Sequence, residues 1–167
     1  MNDSEKMPRP PNVREATLED AEAIYYLARD LADALGDRRP RPEAVQARLD
    51  ELLKEPRAQV FVAEGEDGVV GAASLWIKPD LAHGDAVIEV PMLVVSGSAR
   101  RRGVGRLLVK EIQSVAAAEN ASLIELVATN ENDVARDFYR SLGFVETDHI
   151  ALEYVGDVQS PPDDTEG

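Results

Sequence analysis

Two glycines and a cluster of cations follow a short apolar run near the middle of the chain. Residues 90–110 contain no Asp or Glu, although the whole chain has 32 acids against 18 Lys and Arg. If a helix begins here, its first N–H groups lack internal partners and its macrodipole favours negative charge. The two glycines would let a ligand approach the backbone, so the turn is predicted to bind an anion, best a phosphate-bearing one. The residues of this turn are Arg100, Arg101, Arg102, Gly103, Val104, Gly105 and Arg106.

Other phosphate-binding patterns do not fit this turn. The pattern GxxxxGK[ST] is absent, and GxGxxG fails because Leu108 stands where its third glycine would be. On glycine spacing alone, an ordinary strand-to-helix turn with a solvated basic rim explains the residues equally well.

A second pattern follows about forty residues later: Asn132-x-x-Ala135-x-x-Phe138-Tyr139-x-x-x-Gly143-Phe144. Together with Arg100-x-x-Gly103-x-Gly105 after an apolar strand, it resembles the GCN5-related N-acetyltransferases, the GNAT family. The resemblance covers roughly residues 12–155 and is most specific over 85–145. The chain departs from the common family pattern at Gly97, where many members have proline, and at Arg101, where many have glycine.

The resemblance implies that acetyl-CoA is the cosubstrate and that an acetyl group passes directly to a primary amine in a ternary complex. It implies that backbone amides across residues 101–106 hold the pyrophosphate, with Arg100 at the first motif position. It also implies a strand that separates from its neighbour, so that backbone groups of Leu93, Val94 and Val95 pair with pantetheine. Asn132 matches the position that contacts the cofactor arm.

Two side chains are the candidate catalytic groups. Tyr139 matches the family's general acid, and a phenol is suited to protonating a departing thiolate. Glu89 is the only charge in the run Ala86–Val95, so a strand here is expected to place it among apolar neighbours. It matches the base of the histone-acetylating members. The alternatives are a packing role for Tyr139, and a solvent-facing Glu89 with a water chain as the base.

Strand and helix signals alternate along the chain. The predicted order is βααβββαβαβ(β), with a hairpin around 65–68, a strand over 85–95, a helix from about 102 to 119, a strand over 122–128 and a helix over 132–142. The last strand is predicted over 144–155. The resemblance implies a mixed α/β (α+β) fold with a mostly antiparallel sheet of six to seven strands flanked by helices.

Composition narrows the class of protein. The formal net charge of −14 disfavours nucleic acid and anionic membranes as partners, and the chain has no cysteine. No apolar stretch is long enough for a membrane span, and the two histidines have no spacing typical of a metal site. We therefore expect one cytoplasmic, metal-free domain over residues 12–155. Residues 1–11 and 156–167 are polar and proline-containing, and are expected to be a flexible N-terminus and a disordered acidic tail.

The acceptor is not specified by the sequence. An acidic surface favours a cationic acceptor, either a small-molecule amine or a peptide amine. An alternative function is a catalytically silent acyl-CoA-binding or regulatory module with the same fold. A homodimer is possible, since dimers are common in the family.

Overall fold

The computed structural model describes residues 9–156 and 158 of the 167-residue chain. Within that range the strands are β1 (Asn12–Glu15), β2 (Ala58–Gly65), β3 (Gly68–Asp80), β4 (Asp85–Val95) and β5 (Ala121–Glu125). The helices are α1 (Ala21–Leu35), α2 (Pro42–Lys54), α3 (Val104–Ala118) and α4 (Asp133–Ser141). The predicted termini at 1–8 and 159–167 lie outside the described residues.

The described strands form one sheet in the order β1-β2-β3-β4-β5. All neighbouring pairs are antiparallel except β4 and β5, which are parallel. Strand alternation sends successive side chains to opposite faces. One face packs against α1 and α2 through residues such as Val62 and Val94, and the other packs against α3 through Leu75 and Ile88. The mixed α/β class predicted from the sequence is confirmed.

The helix ends follow from local chemistry. The carboxylate of Asp20 accepts a hydrogen bond from the Thr17 amide at 2.8 Å, immediately before α1. α1 ends at Gly36, whose φ of 70° is a conformation that glycine adopts without strain. Pro42 occupies the first turn of α2, where a missing N–H costs nothing. These signals set where α1 begins and ends and where α2 begins.

β4 contains a bulge at the point where it leaves β5. Ser74 of β3 opposes Met92 of β4 and Trp76 opposes Glu89, so β4 carries one extra residue, at Val90–Pro91. The parallel pairing of β4 with β5 ends at Glu89 and Glu125. Because Pro91 has no N–H to donate, it is suited to this break in the ladder. Beyond it the two strands separate, and we call this opening the splay.

The predicted last strand is absent from the described structure. Residues 144–155 contain no strand, which leaves five strands where six to seven were expected. The apolar residues of this segment are split by residues 146–149, among which Glu146 and Asp148 have low strand propensity. The side chains of Val145, Ile150 and Leu152 are exposed.

None of the described helices is both long and apolar enough to cross a bilayer.

Candidate active site

The turn before α3 presents unused backbone donors. Leu107 is the first residue of this region whose amide bonds to an α-helical acceptor, the Gly103 carbonyl, at 3.1 Å. The preceding amides at 104–106 belong to the first turn and have no acceptor within the helix. Within residues 9–156, the amides at 100–103 donate no hydrogen bond. Gly103 begins the helix with a φ of 77°, and a Cβ there would meet nothing within 4 Å.

Cations surround this turn without carboxylate partners. Five of the 18 basic residues lie in this window, and all five are exposed. In the described part of the chain, none of the five comes within 4.0 Å of a carboxylate oxygen. Positive charge and open amides therefore meet at one helix N-terminus, an arrangement suited to a phosphate group. The five are Arg100, Arg101, Arg102, Arg106 and Lys110.

Gly105 and Gly103 are glycines for different structural reasons. Gly105 is buried, and a Cβ built on it would lie 3.0 Å from Cζ of Phe138 and 3.2 Å from Cδ2 of Leu142. The sequence motif predicted that both glycines open the backbone to a ligand. The structure shows that Gly105 lets α4 pack closely against α3, while Gly103 is open to solvent. The two sequence motifs are therefore in direct contact.

The splay contains a small cavity of about 40 Å³. Tyr139 of α4 lines it together with Leu93, the residues at the bulge, the segment that follows β5 and the end of α1. β4 pairs with β3 through Leu93, Val94 and Val95, whereas its pairing with β5 has already ended at Glu89. The strand edge beside the cavity is thus not paired with β5 along these three residues.

Tyr139 is placed to hold a proton. Its ring lies against Phe138 at 5.5 Å and edge-on to Phe144 at 6.2 Å, measured between ring centroids. Burial raises the pKa of the Tyr139 phenol above its ordinary value. The phenol therefore stays protonated at neutral pH.

Glu89 is the last residue of β4 that pairs with β5; it does not line the splay cavity, and its surroundings differ from the apolar environment expected. Its carboxylate forms an ion pair with Lys78 of β3, and its side chain is 35% exposed. Trp76 opposes Glu89, so Lys78 is its diagonal neighbour on the same face of the sheet. α1 and α2 leave this end of the sheet face uncovered, which explains the exposure.

Asn132 caps α4. Its Oδ1 accepts a hydrogen bond from the Ala135 amide at 3.0 Å, so the cap does not use the side-chain NH₂.

Arg136, one turn further along α4, connects two segments of the chain. Nε and Nη2 of its guanidinium each donate to the Glu146 carboxylate at 2.7 Å, and Nη1 donates to the Asn130 carbonyl at 2.9 Å. Arg136 thus joins the segments before and after the helix that carries Tyr139.

The sequence model of the Acetyltransferase (GNAT) family matches residues 19–144 of this chain. The chain belongs to the GNAT family. This range includes the turn before α3, the splay and α4, so the two motifs and their contact lie inside the family's domain. The enzyme class that follows from the family is acetyl transfer.

Known proteins similar to this GNAT domain include a mycothiol acetyltransferase of Beutenbergia cavernae, 34% identical over 103 residues. That match covers 61% of this chain and 33% of the relative, so the chain spans about a third of that protein's length. An aminoglycoside N(6′)-acetyltransferase type 1 of Serratia marcescens is 27% identical over 66% of this chain and 79% of its own.

A solved structure with the same fold is an aminoglycoside N-acetyltransferase in complex with CoA. It superposes with a TM-score of 0.76 at 20% identity, over 89% of this chain and 96% of that one. At this identity the likeness shows the fold.

Sequence reasoning missed three features of the GNAT site. Lys78 was not recognised as the partner of Glu89, and Arg136 was not recognised as the link across α4. Leu31 and Leu35 of α1 also line the splay cavity. The one available signal was the position of Arg136 inside the second motif. Among the described residues, no group of three or more His, Asp or Glu side chains is arranged to hold a metal ion.

Proposed function

We propose that this GNAT domain is an N-acetyltransferase that moves an acetyl group from acetyl-CoA directly to a primary amine within a ternary complex. The observation that carries the proposal is the alignment of the turn before α3 with the splay. The open amides and cations lie at one end of the unpaired β4 edge, and Tyr139 lies beside the other end. A long ligand with phosphates at one end and a reactive group at the other fits this path.

The cofactor fit rests on three features of the chain. Amides at 101–106 and the exposed cations supply donors and positive charge for a pyrophosphate, with Arg100 at the edge of the turn. The backbone of Leu93, Val94 and Val95 offers strand-like hydrogen bonds to an amide-containing arm. The free NH₂ of Asn132 is available to the same arm. When bound, acetyl-CoA supplies an activated thioester.

Tyr139 acts as the general acid. As the amine nitrogen forms its bond to the carbonyl carbon, the carbon–sulfur bond breaks and the electron pair leaves on sulfur. The Tyr139 hydroxyl donates its proton to that thiolate, and the phenol recovers a proton from solvent. Burial of the phenol keeps the proton in place until this step.

Glu89 receives the proton that the amine loses, either directly or through water. Its position at the end of the β4–β5 pairing, next to the bulge, supports this role. The ion pair with Lys78 holds it there. Glu89→Gln separates the two possibilities. A fall in kcat of tenfold or more, with unchanged coenzyme affinity, assigns the base to Glu89, whereas an unchanged kcat assigns it to water.

The named relatives favour small-molecule amines as acceptors, since one set is named for aminoglycosides and another for mycothiol. The chain's net charge of −14 also favours a cationic acceptor.

The deciding experiment is a calorimetric titration with acetyl-CoA, CoA and ATP, followed by thiol-release assays on an amine panel. Micromolar binding of acetyl-CoA without ATP binding, and thiol release that requires an amine, are the expected results. A folded sample that binds no coenzyme A species contradicts the proposal. Coenzyme binding without transfer to any amine instead favours a catalytically silent module.

A further inference from the structure

A second cavity lies outside the splay, between α1, α2 and the sheet. Its volume is about 230 Å³, several times that of the cavity beside Tyr139. Apolar cavities of about 150 Å³ are large enough to bind benzene. Space of this size between packed elements therefore accommodates an aromatic ring or a short aliphatic chain.

The walls of this cavity are apolar. Two small side chains, Ala28 of α1 and Ala44 of α2, leave space where larger residues would close the helix pair. The polar side chains in the lining are Ser74 and Arg48, and the Arg48 guanidinium is already bound by Glu51 at 2.6 Å. The lining thus offers burial to an apolar group and little to a polyhydroxylated one.

The residues at the base of this cavity are adjacent to those that line the splay. Val60, Ser74 and Met92 lie directly opposite one another on β2, β3 and β4 and form the floor as one cross-strand row. Met92 follows Pro91, which lines the cavity that contains Tyr139. On α1, Ala28 and Leu31 line the larger and smaller cavities one turn apart. The next position across the sheet from Met92, about 4.8 Å further, is the gap left by β5.

We propose that this cavity binds the apolar body of the acceptor, so that the substrate is a primary amine carrying an aliphatic or aromatic group rather than an aminoglycoside-like polyol. The inference rests on the proposed N-acetyltransferase function. With its apolar body over the Val60–Ser74–Met92 row, the acceptor places its amine in the splay. The acidic character of the chain favours the protonated amine as it approaches.

The test is a series of n-alkylamines from propylamine to octylamine, with 2-phenylethylamine and kanamycin as comparators. Acetyl transfer is followed by thiol release, and binding to the CoA-loaded full chain is followed by calorimetry. We expect kcat/KM and affinity to rise about fourfold per added methylene until the cavity is filled, and to be lowest for kanamycin.

Ala44→Leu fills the cavity from α2, and Ala28→Leu fills it from α1. The matched control is Ala47→Leu, which places the same side chain on the exposed face of α2. In the filling variants, kcat/KM for the longest amines should fall by tenfold or more, so that it no longer rises with chain length. Coenzyme affinity should stay the same, and the control should behave as wild type. The second filling variant serves if the first fails to fold.

Affinity that does not change with chain length, or filling variants that match the control, would overturn this inference and leave the proposed function intact. If no amine is acetylated, the proposed function fails. The calorimetric arm then still decides whether the cavity binds apolar amines.

Discussion

Gly105 of α3 and Phe138 of α4 are in such close contact that a side chain on the glycine would push against the ring. The nearest ring carbon would lie 3.0 Å from the new Cβ. This contact joins the helix that presents the open amides to the helix that carries Tyr139. The position of Tyr139 relative to the open amides therefore depends on the absence of a side chain at Gly105.

Gly105→Ala is expected to destabilise the protein by up to about 2 kcal/mol. Overpacking costs about 1–3 kcal/mol, and the better helix propensity of alanine offsets part of it. Urea denaturation measures the loss. Adding Phe138→Leu should restore part of the stability that Gly105→Ala removes, and a strictly additive double-mutant cycle would contradict the steric explanation. Gly97→Ala is the control, because its Cβ would meet nothing within 4 Å.

Charge at Gly103 is expected to control coenzyme binding. Gly103→Glu places a carboxylate among the open amides and should weaken CoA affinity by tenfold or more. Gly103→Asn tests strain separately, since asparagine tolerates the left-handed conformation that the φ of 77° requires. Calorimetry should show only a few-fold loss for the asparagine variant. Equal losses in the two variants would mean that the charge is irrelevant.

Tyr139→Phe is expected to lower kcat by about 10²–10⁴-fold without changing CoA affinity, because it removes a proton donor and keeps the ring. Burial raises the pKa of the Tyr139 phenol, so the wild-type kcat should not decline through loss of this proton until the pH exceeds about 10. A pH–rate profile with thiol detection measures both. An unchanged kcat in the variant removes Tyr139 from the acid role.

The ion pair between Arg14 and the buried Asp20 is expected to stabilise the start of α1. Both Asp20 oxygens accept hydrogen bonds from the Arg14 guanidinium, at 2.8 and 2.9 Å, and these bonds lower the pKa of Asp20. Since the folded-state pKa is depressed, the stabilisation is present above the unfolded-state pKa of about 4 and is lost as the pH falls.

Asp20→Asn should therefore cost about 1–3 kcal/mol at pH 7, and the difference from wild type should shrink as the pH falls below about 4. Urea titrations at several pH values measure it. Asp50→Asn, which removes an exposed partner of Lys54, is the control and should change stability by less than about 1 kcal/mol. A difference that does not depend on pH would contradict the ion-pair explanation.

The strands and helices that are marked by a strong run or period of apolar residues were predictable from the sequence. β4 occupies 85–95 as predicted, and α3 and α4 begin and end within two residues of their predicted limits. The two motifs also indicated where the site lies. Their residues are close together in the sequence, so local patterns contained the information.

The remaining features depend on contacts between residues that are far apart in the sequence. The Lys78–Glu89 ion pair requires the register of β3 against β4, and the packing reason for Gly105 requires the position of α4. The apolar cavity arises from two alanines on different helices, each ordinary in its own helix. Residues 144–155 show the reverse: their apolar residues suggested a strand, but no strand forms over them in the described structure.

The bulge at Val90–Pro91 determines which face of the sheet the two halves of β4 present to α3. Ile88 and Val90 before it, and Leu93 and Val95 after it, all face α3, although strict alternation would put the two pairs on opposite faces. Deleting Pro91 would remove the bulge and leave both pairs on the face that packs against α3, so the core itself does not require the extra residue. A residue added or removed elsewhere in β4 would instead turn every side chain beyond that point to the opposite face, so this strand should tolerate a change in length only at its bulge, whereas the loops should tolerate it more widely.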